Sequence, residues 1–479
     1  MTTRKHAAEP DFLLALDRYR QQGVLAWHTP GHKQGRGASP ALLRALGQSL
    51  ALDVSDVLAD ERHHDDWDEV LLEAEARAAE AFGAAWTRFL VNGTSGGIQA
   101  MLLAVLQDGD RLILPRAAHM SVVAGLTLCG AVGEYLPYRV DRQLGLEVPP
   151  SAEDYAEAIA THPDAKSVLV TYPNYYGMCA DLAAIAAVAE SHGMWVLVDE
   201  AHGAHYAFHP QLPPTALSCG AHITVQSAHK TLGALTQSSM LHAAAAVDHA
   251  ALDRALTLVK STSPNALLLG SLDAARAQMA VAGKQLWSSA LEQAGAAREQ
   301  INALPGWLCL TPDRMRQVVP YWDSTRLIIG HQCKSGLAVA RALRDQMGMQ
   351  VEMADHRYVV ALVGLGDGPA EINRLVCALR ELDVSELADR STFEIDYPAM
   401  APRVMSPRAA YQQKSVRVPW THAVGRTCIE TICPYPPGIP LIVPGEEITP
   451  EIVTYVDWAR AQGFTLRGDL GDGCIGVVA

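Results

Sequence analysis

No run of this sequence is apolar for long enough to span a bilayer. Its first residues, Met-Thr-Thr-Arg-Lys-His-Ala-Ala-Glu-Pro, lack the apolar core of a signal peptide. These absences predict a cytoplasmic protein without a membrane partner. The nine cysteines form no Cys-x-x-Cys pair and no metal-ligand spacing. No metal site and no disulfide framework is therefore expected, in keeping with a reducing compartment. Cys129, Cys179, Cys377 and Cys428 read instead as buried small apolar residues. Repeats and low-complexity segments are absent. Charged residues are only 19% of the chain and hydrophobic ones 49%, which argues against extended disorder. The formal charge of −14 argues against nucleic acid and anionic membranes as partners.

The 479 residues are too many for one ordinary domain. An N-terminal arm is expected over residues 1–67. Within it, Asp11 to Arg20 has helical spacing with Phe12, Leu13, Leu16 and Tyr19 on one side. A loop, Trp27-His28-Thr29-Pro30-Gly31-His32-Lys33-Gln34-Gly35, follows; its residues suit either close approach to a ligand or a surface turn. From residue 68 to 305 helices alternate with short apolar strands. Glu69–Phe82, Gly96–Leu106 and Leu182–His192 read as helices. Thr87–Val91, Arg111–Leu114, Ser167–Thr171, Trp195–Val198 and Ile223–Ser227 read as strands. Such alternation predicts an α/β domain whose mostly parallel sheet is covered on both faces. Residues 306–400 read as a smaller α+β domain, with strands at Arg326–Ile329 and Tyr358–Val363 and helices at Gly336–Met347 and Pro369–Leu382. Residues 401–479 form a last module, in which Cys433 to Pro440 is too proline-rich for regular structure.

Three motifs in the alternating region carry chemistry. Asn92-Gly93-Thr94-Ser95-Gly96-Gly97 lies between a strand and a helix, where small residues let backbone N–H groups face a phosphate. Asp199-Glu200-Ala201-His202-Gly203 follows a buried strand, a position at which parallel sheets bind ligands. Ser227-Ala228-His229-Lys230 follows another strand; a desolvated lysine there is a nucleophilic amine for an aldehyde. Singly, each has a bland reading: a common turn, a helix cap, a solvated lysine. In this order they match the layout of fold type I pyridoxal phosphate (PLP) enzymes.

The runs Thr29–Lys33, Val91–Ser95, Asp199–Gly203, Ser227–Leu232 and Pro434–Pro440 together resemble the Orn/Lys/Arg decarboxylase family, in its short bacterial form without an N-terminal wing domain. The resemblance runs from about residue 10 to beyond residue 446. It implies PLP as cofactor, held as a Schiff base by Lys230, with Asp199 on the pyridine nitrogen. Thr94, Ser95, Gly96 and Ser227 match phosphate-binding positions, and Ala201 neighbours the ring. His119 resembles the histidine that stacks on the ring. His229 matches the histidine before the lysine, which faces the phosphate or the reacting centre, and His202 a position near the substrate. Ser261-Thr262-Ser263-Pro264 resembles a segment that reaches the neighbouring subunit's site, which implies a homodimer at least, with shared active sites.

The implied reaction is decarboxylation of a basic amino acid (arginine, lysine or ornithine) in polyamine metabolism. Glu446 and Asp60 are candidates for binding the substrate's distal cation. Three positions depart from the family. Met120 replaces a lysine, Asn265-Ala266 an aromatic, and Ala59 to Trp67 a Gly-Leu-Asp-Asp-Leu-His-like stretch. These departures keep open an alternative PLP reaction: elimination, cyclisation or transamination of a basic amino acid or a hydroxylated analogue.

Overall fold

The computed structural model describes residues 9–55, 67–389, 397–435, 438–468 and 472–479. Helix α1 (Asp11–Gln21) opens with Asp11 in its first turn and ends with Arg18 and Arg20 in its last, each complementing the helix dipole. Helices α2 (Pro40–Leu46) and α3 (Trp67–Phe82) follow. Seven strands then make the main sheet: β1 (Trp86–Leu90), β2 (Arg111–Pro115), β3 (Val132–Leu136), β4 (Ser167–Thr171), β5 (Trp195–Asp199), β6 (Ile223–Gln226) and β7 (Ser239–Ala243). Their hydrogen-bonded order is β1-β7-β6-β5-β4-β2-β3. Between them run α4 (Gly93–Val105), α5 (Met120–Cys129), α6 (Ala152–Thr161), α7 (Leu182–Ser191) and the single turn α8 (Ala228–Thr231). Helices α9 (His249–Val259) and α10 (Ala266–Asn302) come after the sheet.

The chain divides into two compact units, residues 1–104 with 199–287 and residues 105–198 with 288–479. In the first, β1, β7 and β6 are antiparallel, with Thr87 opposite His242 and His242 opposite Thr224. Helix α1 lies over Gly270, where an added Cβ would come 3.1 Å from Leu13 and Leu16. Its start is tied down by Phe12 N–H donating to Asp273 (2.9 Å) and by the Arg77–Asp11 ion pair.

In the second unit, β2 is parallel to β3 and β4, Leu112 lying opposite both Gly133 and Ser167. Leu112, Ile113 and Leu114 are fully buried, as expected of a strand covered on both faces. Ser151 and Asp154 close a capping box on α6, and Asp181 caps α7 through Ala184 N–H. A four-stranded sheet is built from β8 (Trp307–Cys309), β9 (Arg326–His331), β10 (Met353–Ala354) and β11 (Tyr358–Leu362), in the order β8-β9-β11-β10. Helices α11 (Gly336–Met347) and α12 (Pro369–Glu381) accompany it. The last segment pairs β12 (Ser415–Pro419) with β15 (Cys474–Val478), and β13 (Cys433–Tyr435) with β14 (Thr465–Arg467). Helix α13 (Pro450–Ala461) packs there in a core with Trp420, Ile442 and Ile475.

Three expectations are corrected. Cys433–Tyr435 is a strand despite its proline, because a two-stranded ribbon leaves Pro434 an edge position where no N–H is required. Cys377 is exposed: α12 buries Ile372, Val376 and Leu379, and Cys377 lies about 100° round the helix from Val376. The helix predicted to begin at Gly96 begins at Gly93, so Thr94, Ser95 and Gly96 lie within its first turn.

Candidate active site

Asp199 ends β5 and is 4% exposed; its Oδ1 accepts the Ala201 N–H at 3.1 Å. Two backbone bonds tie this strand end to that of β6. Glu200 N–H donates to Val225 O (3.0 Å), and Ser227 N–H donates to Ala201 O (3.3 Å). One turn on, Lys230 Nζ lies 3.0 Å from Nε2 of buried His202. His229 donates its Nδ1–H to Ser238 O at 2.9 Å. The sequence motifs after β5 and β6 thus bring a carboxylate, an amine and imidazoles into one neighbourhood.

The glycine-rich turn after β1 joins them. Gly93 turns from β1 into α4 with φ of 74°, a backbone conformation that favours glycine. Thr94, Ser95 and Gly96 occupy the first turn, where backbone N–H groups have no acceptor within the helix and the dipole favours an anion. Thr94 Oγ1 lies 3.2 Å from Ser227 Oγ, so hydroxyls from both strand ends converge. A Cβ on Gly96 would collide with the Asn92 amide, so the close approach requires glycine there. A helix start with converging hydroxyls, a buried carboxylate and a lysine amine form a donor set that fits PLP.

His119 belongs to the other unit. It caps α5, its Nδ1 accepting from Ser121 N–H at 3.2 Å and meeting Ser121 Oγ at 2.8 Å. Met120 begins the helix it caps. Ala266 is fully buried at the start of α10, and Asn265 before it is exposed. Ser261, Thr262 and Ser263 are exposed. The N-terminal loop is braced from within: His32 Nε2 meets Asp53 at 3.0 Å, and Lys33 Nζ donates to His28 O at 2.6 Å.

Glu446 is already engaged by neighbours within its own unit. Its carboxylate takes two hydrogen bonds from Arg116 (2.7 and 2.8 Å) and one from Val443 N–H (3.0 Å). Arg116 also donates to Pro440 O and Leu441 O, and both ionic side chains are almost wholly buried. Asp60 and the stretch around His63 lie outside the described residues. Sequence reasoning missed Arg116, and it missed the polar row Thr87, His242, Thr224 and Gln226 beneath the strand ends. Only an unneeded polar residue in an otherwise apolar strand hinted at the latter.

A family model described as Orn/Lys/Arg decarboxylase, major domain, matches residues 10–323, and one for the C-terminal domain of the same family matches residues 388–466. The chain is 36% identical to an arginine decarboxylase of Halalkalibacterium halodurans over 463 residues, 95% of this chain and 94% of the relative. It is 34% identical to an arginine decarboxylase of Bacillus subtilis over 470 residues, 96% and 95% of the two chains. Among solved structures, lysine decarboxylase A from Pseudomonas aeruginosa matches with a TM-score of 0.82 at 23% identity, over 98% of this chain and 80% of that one.

Proposed function

The chain belongs to the Orn/Lys/Arg decarboxylase family, and on that premise we propose that arginine is the amino acid it decarboxylates. It is a PLP-dependent decarboxylase of basic amino acids, with an α/β fold of type I. The identity to two arginine decarboxylases over nearly the full length of both partners carries the choice of arginine. Of the two reaction classes open from the sequence, decarboxylation is the one the family match supports.

Lys230 is the residue assigned to hold PLP covalently, Asp199 to keep its ring nitrogen protonated, and Thr94, Ser95, Gly96 and Ser227 to hold its phosphate. What supports this is the convergence of these groups in one unit, with Asp199 and Ser227 buried. When bound, PLP supplies an electron-accepting ring for the pair left at the α-carbon as CO2 departs. The chain supplies the proton handling. His202, with its Nε2 3.0 Å from Lys230 Nζ, is placed to orient the lysine amine. Lys230 and His229 are the candidates to return a proton to the α-carbon. The assignments of Ala201 beside the ring and His119 over it rest on the family resemblance.

We also assign the protein to the cytoplasm and its amine product to polyamine metabolism. All nine cysteines are free, and no described helix is long and apolar enough to cross a membrane. A homodimer with shared sites is supported by the arm, where Leu25, Trp27, Leu42, Leu43 and Leu46 are exposed and a second copy would cover them. The test is CO2 release and product mass with arginine, lysine and ornithine. Arginine is expected to lose CO2 fastest, and Lys230→Ala to abolish both turnover and the visible absorbance of bound PLP. Faster CO2 release from lysine or ornithine overturns the choice of arginine.

A further inference from the structure

Beneath the strand ends lies a row of polar side chains that no step above uses. Glu200 and His242 are fully buried, as is Thr224; Thr87 is 2% and Gln226 3% exposed. The register sets Thr87, His242 and Thr224 directly opposite one another across β1, β7 and β6, and Gln226 shares their face two residues on from Thr224. An apolar row would fill such a place more simply, so five buried polar groups need a reason.

Their hydrogen bonds have one consistent direction. Burial holds His242 neutral by pushing its pKa down to about 3. Its Nδ1 therefore accepts from Thr87 Oγ1 (2.8 Å), while its Nε2–H donates to Gln226 Oε1 (3.2 Å). The Gln226 amide then donates from Nε2 to Glu200 Oε2 at 2.8 Å. Thr224 Oγ1 donates to the same oxygen (3.1 Å), and Ala216 N–H donates to Oε1 (2.9 Å). Phe82 stacks on the His242 ring at 4.9 Å and walls the row.

The two ends of the central bond matter most. Glu200 directly follows Asp199, and Gln226 directly precedes Ser227. Asp199 and Ser227 are the residues assigned to opposite ends of one rigid cofactor, its ring nitrogen and its phosphate. Their separation must be held closely, because a rigid ligand cannot adapt to a misplaced partner. We propose that Glu200 is a positioning residue: its carboxylate, gripped by Gln226, Thr224 and the Ala216 N–H, sets the spacing between Asp199 and Ser227. Glu200 acts through these neighbours. The inference rests on the cofactor assignments above.

The test uses the full-length protein. In Glu200→Gln one donor faces an amide N–H instead of an acceptor. The PLP dissociation constant, measured by equilibrium dialysis, is expected to rise about tenfold. The pH midpoint of the bound cofactor's visible absorbance should move, and kcat should fall more than KM rises. The double variant E200Q/Q226E reverses the central bond, with the Thr224 hydroxyl turning to accept from the new amide, so affinity should return to within about threefold of the parent. A residue with a merely structural role would lower the unfolding midpoint of the PLP-free protein without moving PLP affinity or the absorbance midpoint; that result overturns the inference. Should Glu200→Gln not fold, Thr224→Val deletes one donor to the same carboxylate and should weaken PLP about threefold. Unchanged affinity in folded Thr224→Val overturns it equally. Persistence of the visible band in Lys230→Ala would instead overturn the cofactor assignment itself.

Discussion

Glu200 at the strand ends and Glu446 in the C-terminal region are both buried carboxylates, yet they are stabilised in opposite ways. Glu446 is met by a guanidinium: Arg116 forks onto both its oxygens. Glu200 is met only by neutral donors, namely an amide, a hydroxyl and a backbone N–H. Burial raises the Glu200 pKa to about 7, and those three bonds only partly oppose it. The difference separates a strut from a gauge. An ion pair whose Arg116 also grips the Pro440 and Leu441 carbonyls ties the end of β2 to a distant loop. A carboxylate among neutral donors sets a distance between neighbours.

The largest effect should come from breaking the strut. Arg116→Met leaves Glu446 buried without its cation, and should lower unfolding free energy by ~3–5 kcal/mol in denaturant titrations. The double change R116M/E446L should recover most of that loss, because the uncompensated charge is gone; a double variant as unstable as the single one would refute the strut reading.

A smaller effect concerns pH. Glu147 is a second carboxyl raised by burial to about 7, opposed by a hydrogen bond from Asn174. In the unfolded chain it titrates at the ordinary 4.5, so between 4.5 and 7 the folded state holds more protons. Its stabilising contribution is complete below 4.5 and is lost as pH rises through 7. Glu147→Gln should therefore flatten the decline of the unfolding midpoint between pH 5 and 8. The gain at pH 8 should be on the order of 2 kcal/mol. An unchanged slope would mean that Glu147 does not titrate in this window.

The smallest effect is expected where the carboxylate meets water. Asp53, with a quarter of its side chain exposed, pairs with His32 at 3.0 Å. Asp53→Asn should change stability by no more than ~1 kcal/mol. A loss as large as that of Arg116→Met would erase the contrast between buried and accessible pairs.

Much of the fold was legible because its signals are local. Continuous apolar runs such as Trp195–Val198 and Arg326–Ile329 are strands, and the helices at Leu182 and Gly336 start where read. The 37-residue helix α10 escaped notice, since its buried stripe is filled largely by alanines with Asp273 and Arg276 among them, so it contrasts weakly with the exposed faces. The Cys433–Tyr435 strand was hidden by its proline. The gathering of Asp199 and Lys230 in one neighbourhood was legible because each motif lies just after a strand. Arg116 was not, because its partner lies 330 positions away. Nor was His242, whose neighbours Thr87 and Gln226 lie 155 and 16 positions off.

The sequence by itself determined the order of strands and helices and the chemical groups at the strand ends. A strand's burial pattern and a motif beside it are properties of a few adjacent residues. Only the tertiary structure decided what each buried carboxylate meets. A carboxylate out of water takes its character from the groups packed against it, and folding brings these from distant parts of the chain. In that way Glu446, a substrate-binding candidate from the sequence, became the anchor of Arg116, and Glu200 became the residue that spaces Asp199 from Ser227.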